Sequence, residues 1–211
     1  MPLKKYTAPV DLRVAKGLRL VVSLIDNFSG KRPVGNIRML LKDQHTKMAQ
    51  NPSGYYLFFK VPGDGVHIRT QSDYYFAVER EIKIPELDPG QPVETIRLQP
   101  KPCYPFPSRT TLIRGIVKDS QGNLLPGAIV SIEGTTIKTL TTAKGEFVCY
   151  YTGLGEEDVV VKNGKRYLIG GVEGAIPLRV SYNSLSGGVD LTDVAEGEVT
   201  VLKSPIILNK K

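Results

Sequence analysis

The 211-residue sequence is internally repetitive, and that repeat constrains its fold more than any other feature. Leu20-Val21-Val22-Ser23-Leu24-Ile25-Asp26 passes through Ser29-Gly30 and Pro33-Val34-Gly35 into Ile37-Arg38-Met39-Leu40-Leu41. Ile113-Arg114-Gly115-Ile116-Val117-Lys118-Asp119 passes in the same order through Gln121-Gly122 and Pro126-Gly127 into Ala128-Ile129-Val130-Ser131-Ile132. Asp26 and Asp119 are 93 positions apart, as are Pro33 and Pro126. Gly54 before Tyr55-Tyr56-Leu57-Phe58 matches Gly145 before Glu146-Phe147-Val148-Cys149 at an offset of 91, and Ile96-Arg97-Leu98 matches Ile206-Ile207-Leu208 at 110. Two copies of one unit follow, and the jump in offset places an insertion in the second copy at about residues 154–172.

Within each copy apolar residues alternate every second position and no stretch sustains a 3.6 period, which predicts short strands and no long helix. The expected fold is all-β: two tandem Greek-key sandwiches, at 17–99 and 111–211, preceded by an N-terminal arm at 1–16. The insertion carries Val159-Val160-Val161-Lys162-Asn163-Gly164-Lys165-Arg166-Tyr167-Leu168. Asn-Gly supplies the two positive-φ positions of a type I′ turn, so this segment is predicted to be a hairpin. Between the copies, residues 100–110 hold Pro100, Pro102, Pro105 and Pro107. Such spacing excludes helix and predicts a stiff extended spacer that holds the two units apart.

The order G-x-V-x-D-x-x-G-x-x-x-P-G-A-x-V-x-I from Gly115 through Ile132, followed by Thr141-Thr142-Ala143-Lys144-Gly145-Glu146-Phe147, resembles the carboxypeptidase regulatory-like domain. The resemblance implies a transthyretin-like sandwich of about seven strands. The first copy matches more loosely, with Val34 where Gly127 stands later. The whole chain, with Tyr104-Pro105-Phe106-Pro107 running into the second copy, is similar to uncharacterised proteins that accompany phage-tail-like contractile injection systems. That similarity implies a cap, baseplate or sheath-associated subunit.

The sequence offers no catalytic constellation and implies no cofactor. Its only histidines, His45 and His67, stand alone, and Cys103 and Cys149 lack ligand or CxxC spacing. No GxSxG elbow or GxxxxGK loop occurs. Glu156-Glu157-Asp158 and the pair Asp190 and Asp193 lack the dense ladder of a calcium loop and are expected to be solvated acids. A Lys-to-Asn isopeptide cross-link would need a buried Lys beside a buried acid, and Lys118 points to the turn end of its strand. The chain is expected to be no enzyme and to bind no metal.

Most of the formal charge of +7 falls in the first half, where basic residues are scattered singly and form no nucleic-acid stripe. Nothing resembles a secretory leader, and no apolar run is long enough to span a bilayer, so cytoplasmic residence is expected. The expected partners are other protein subunits. A free-standing carbohydrate- or peptide-binding module is the competing reading, and the absence of Trp, the usual sugar-stacking surface, disfavours it. Two candidate partner surfaces stand out. Aligning Tyr55 with Glu146 places Tyr55, Leu57 and Phe59 on an outer face, opposite the core-facing Tyr56 and Phe58. Lys162, Lys165 and Arg166 at the hairpin tip predict an acidic contact.

Overall fold

The computed structural model describes residues 18–43, 45–170 and 174–210. The expected arm at 1–16 and residues 171 and 172 of the expected insertion lie outside the described residues. The chain is all-β, and among the described residues helix is confined to short 3₁₀ turns such as Ile84–Glu86 and Glu156–Asp158.

The first half contributes β1 (Leu20–Asp26), β2 (Ile37–Leu41), β3 (Lys47–Gln50), β4 (Tyr56–Lys60), β5 (Gly65–Ser72), β6 (Glu79–Lys83) and β7 (Val93–Leu98). They form two sheets, ordered β3-β4-β1-β7 and β2-β5-β6. Strict alternation on β1 sends Leu20, Val22 and Leu24 inward to meet Phe58, Val66, Ile68 and Ile96 in one core. Phe58 is wholly buried, and truncating such a ring to Ala costs roughly 3–5 kcal/mol.

The second half contributes β8 (Leu112–Asp119), β9 (Ile129–Ile132), β10 (Lys138–Leu140), β11 (Glu146–Tyr150), β12 (Val159–Lys162), β13 (Lys165–Leu168), β14 (Ile176–Tyr182), β15 (Leu185–Leu191), β16 (Val199–Val201) and β17 (Ile206–Lys210). Its main path runs β10-β9-β14-β15-β17-β8-β11, with β16 added on β8. A separate core forms around Ile113, Val117, Val130, Phe147, Leu178 and Leu208.

The pairings of the first half recur in the second. Antiparallel β1–β4 matches β8–β11, and antiparallel β2–β5 and β5–β6 match β9–β14 and β14–β15. Parallel β1–β7 matches β8 with β16 and β17 in succession. One strand changes sheets: β3 pairs with β4, whereas its counterpart β10 pairs with β9. The left-handed residue after the turn proline is Gly127 in the second half and Gly35, not Val34, in the first. Gly35 is required there twice over, because a Cβ would also lie 2.6 Å from the Tyr74 ring.

The segment expected to hold the halves apart instead joins them. Tyr104 is buried in the first core, and its hydroxyl donates to Asp26 Oδ2 at 2.6 Å. Asp26, also fully buried, accepts the Phe28 N–H and the Ser29 hydroxyl, each at 2.8 Å. Phe28 then lies edge-on to Tyr104, Phe106 and Tyr150, with ring centroids 5.8, 5.2 and 5.3 Å away. Phe28 and Phe106 cover Leu112, Val148 and Tyr150 of the second half. The prolines fix φ, but the aromatic residues between them bury too much apolar surface to remain in a solvated spacer. Asn27 Nδ2 ties the rim, donating to Gln99 Oε1 and to the Tyr150 hydroxyl at 2.9 Å each.

Removing the Tyr104 hydroxyl as Tyr104→Phe should cost about 1.5–3 kcal/mol in denaturant unfolding, the usual loss for a hydrogen bond to a charged group. Phe28→Ala combined with Phe106→Ala should split a single calorimetric transition into two, because the cores remain intact while the seam is lost. Burial first, and then Asp26, hold the Tyr104 hydroxyl above the ordinary tyrosine range. Burial likewise pushes Tyr75 up to about 12. Both contributions are complete while the hydroxyls stay protonated and are lost as pH rises above about 10. The thermal midpoint should therefore fall as pH rises from about 10 toward 12, and fall less steeply in Tyr75→Phe.

Candidate functional site

The outward side of the β3-β4-β1-β7 sheet carries an apolar residue on each of its four strands. Registers set Ala49 opposite Leu57, Leu57 opposite Val21, and Val21 opposite Val93, so one apolar row crosses all four strands. Tyr55 and Val93 are 41% and 42% exposed, and Leu57 and Phe59 are half-buried. Tyr56 and Phe58 lie beneath them in the core. Tyr55 precedes β4 and is fixed by the Asn51 loop: its N–H donates to Asn51 Oδ1 at 2.8 Å and its carbonyl accepts the Asn51 N–H at 2.9 Å.

The hairpin forms at β12–β13, with Asn163 and Gly164 both at positive φ. Its cations already have partners within the chain. Lys162 pairs with Asp193 at 3.5 Å and Lys165 with Glu198 at 3.0 Å, while Arg166 contacts Glu156 at 2.9 Å and also Glu196. The hairpin is docked as well: the Leu168 N–H donates to the Val194 carbonyl and the Glu196 N–H to the Arg166 carbonyl, each at 2.9 Å. The acidic contact expected from a partner is thus supplied by residues 193–198. The three basic residues face an acidic run about thirty positions later, and only the fold brings the two together.

The remaining candidates are dispersed. His67 Nε2 lies 3.1 Å from Glu79 Oε1, and the His45 main-chain N–H bonds Asp43. Cys103 is exposed and Cys149 is buried; burial pushes the Cys149 thiol up to about 12. Asp190 pairs with Arg179 at 2.6 Å, and Asp158 Oδ2 accepts the Gly155 N–H. Among the described residues no three His, Cys, Asp or Glu side chains come together as a metal site, and no helix is long and apolar enough to cross a membrane.

Sequence reasoning missed a cavity of about 490 Å³, which opens where Asn27 and Gln99 of the first half meet Thr135, Lys138, Tyr151 and Thr152 of the second. No local motif marks it, since its walls come from segments more than a hundred residues apart.

The chain matches no protein-family model, and no curated protein matches it. The resemblance to the carboxypeptidase regulatory-like domain therefore rests on the motif residues themselves. Among solved structures, the Bacillus anthracis TIE protein aligns over 90% of this chain and 34% of its own, with 10% identity and a TM-score of 0.29. A streptococcal ancillary pilin aligns over 90% of this chain and 68% of its own, with 12% identity and a TM-score of 0.28. The chain thus spans about a third of the TIE protein and about two thirds of the pilin.

Removing the central hairpin cation as Arg166→Ala should speed amide exchange at Leu168 and Glu196, where the hairpin docks, and leave exchange in β1 and β4 unchanged. Raised salt should reproduce part of the effect in the unmodified protein, because these ion pairs are exposed.

Proposed function

We propose that this chain is a non-catalytic structural or adaptor protein that docks onto other protein subunits through the outer face of its first sheet. The supporting observation is the row Ala49–Leu57–Val21–Val93, flanked by Tyr55 and Phe59. Monomeric proteins seldom leave contiguous apolar surface uncovered, and Tyr is favoured at interfaces because it offers large contact area at low entropic cost. On this reading the chain is two copies of one sandwich, about 17–99 and 111–211, and the aromatic seam fixes the angle at which the second copy is presented. The finer form of the reading is a cytoplasmically assembled cap, baseplate or sheath-associated subunit of a contractile injection particle. It rests on the whole-chain similarity alone.

A second reading draws on the 490 Å³ cavity at the seam, where Asn27, Gln99 and the Tyr150 hydroxyl could hold a carbohydrate or a peptide. The two readings separate cleanly. Tyr55→Ser together with Phe59→Ser should leave the thermal midpoint nearly unchanged and abolish co-sedimentation with high-molecular-weight assemblies from the source cell. A large loss of stability with co-sedimentation retained would make this face core. Glycan or peptide binding that Gln99→Ala abolishes would favour the seam.

A further inference from the structure

In the second half, β16 runs parallel to β8, with Val199, Thr200 and Val201 beside Leu112, Ile113 and Arg114. The Leu112 N–H donates to the Glu198 carbonyl at 3.0 Å, and the Leu202 N–H to the Arg114 carbonyl at 2.8 Å. That phase turns both main-chain groups of Thr200 toward β8 and both groups of Val199 and Val201 away from it. No described strand pairs with the far side of β16. Val199 and Val201 are also 52% and 64% exposed, and nothing between residues 199 and 201 is charged. Protein edges are normally blunted by Lys, Pro or a cover, because free donors and acceptors beside apolar side chains recruit another strand. Here the charges and the proline lie only beyond the ends of β16, at Glu198, which pairs with Lys165, and at Lys203 and Pro205, the latter without an N–H to offer.

The exposed valines also extend an interface that the chain already uses. Register places Tyr150, Leu112 and Val199 in one row and Val148, Arg114 and Val201 in the next. Phe28 and Phe106 cover Tyr150, Leu112 and Val148, and the valine at the end of each row is left bare.

We infer that the occupant of this edge is β16 of a second copy, paired antiparallel about a two-fold axis through Thr200. A two-fold through Thr200 sets residue i of one copy opposite residue 400 − i of the other, as an isologous contact requires, and because Val199-Thr200-Val201 reads the same in both directions it places valine opposite valine on both sides. Val199 of each copy lies opposite Val201 of the other and exchanges both main-chain hydrogen bonds with it. The two Thr200 residues then form the non-hydrogen-bonded pair, with Cα atoms about 4.5 Å apart. So short a ladder falls below the roughly 800 Å² per partner of a standard interface, so the dimer is weak and forms only at high protein concentration. This surface is separate from the Tyr55–Phe59 face, and the contact stands or falls independently of the proposed function.

The test uses the whole protein. Sedimentation equilibrium should show a reversible monomer–dimer equilibrium that Val201→Lys weakens at least tenfold and that Tyr55→Ser with Phe59→Ser leaves unchanged. In a Cys103→Ser background, Thr200→Cys should oxidise to a disulfide-linked dimer at least tenfold faster than Gln121→Cys, because the two-fold places the new sulfurs within disulfide reach. A protein that stays monomeric at about 1 mM would overturn the inference. So would a dimer that Val201→Lys leaves intact, or a Thr200→Cys variant that cross-links no faster than Gln121→Cys.

Discussion

The buried carboxyl group of Asp26 organises the join between the two halves. A buried polar group with no partner costs several kcal/mol, so each of its oxygens needs a donor. Phe28 and Ser29 come from its own turn, and the Tyr104 hydroxyl arrives from 78 residues away. Placing Tyr104 there brings Phe106 against Phe28, and Phe28 against Tyr150, so one buried acid sets the path of the connecting segment and the contact between the cores. The counterpart in the second copy shows what the same turn does without that demand. Asp119 is solvent-facing, and the Asn123 side chain and nearby main-chain N–H groups hold its carboxyl below its usual range. The turn acid thus caps its own loop in the second half and anchors a seam in the first.

Most of the strand content was legible in the sequence because a half-buried strand must alternate; β1 does so throughout, and β4 does so until the exposed Lys60 at its end. The Asn163-Gly164 turn was legible because few dipeptides accept positive φ at both positions. The sheet change between β3 and β10 was not: each strand is only three or four residues long and can satisfy either neighbour. The seam was misread because proline spacing reports local stiffness, whereas the fate of Tyr104 depends on a hydrogen-bond partner that no local window contains. The apolar outer face could be read by comparing Tyr55 with Glu146. The free edge at β16 could not, because it depends on which strand lies next to β8.

The β12–β13 hairpin sits beside the second core without interrupting it. Val159 and Leu168 close the base of the hairpin against the second core, and the charged tip lies along the 193–198 segment. Exposed ion pairs add little individually, but here they fix an orientation that the main-chain bonds at Leu168 and Glu196 already favour.

In both halves the first strand lies parallel to the last, β1 beside β7 and β8 beside β16 and β17. Tension applied at the two ends of either half therefore pulls neighbouring strands past one another, and the rungs of the ladder bear the load together instead of opening one at a time. A chain built this way resists stretching along its length better than one whose ladder rungs open singly from an end.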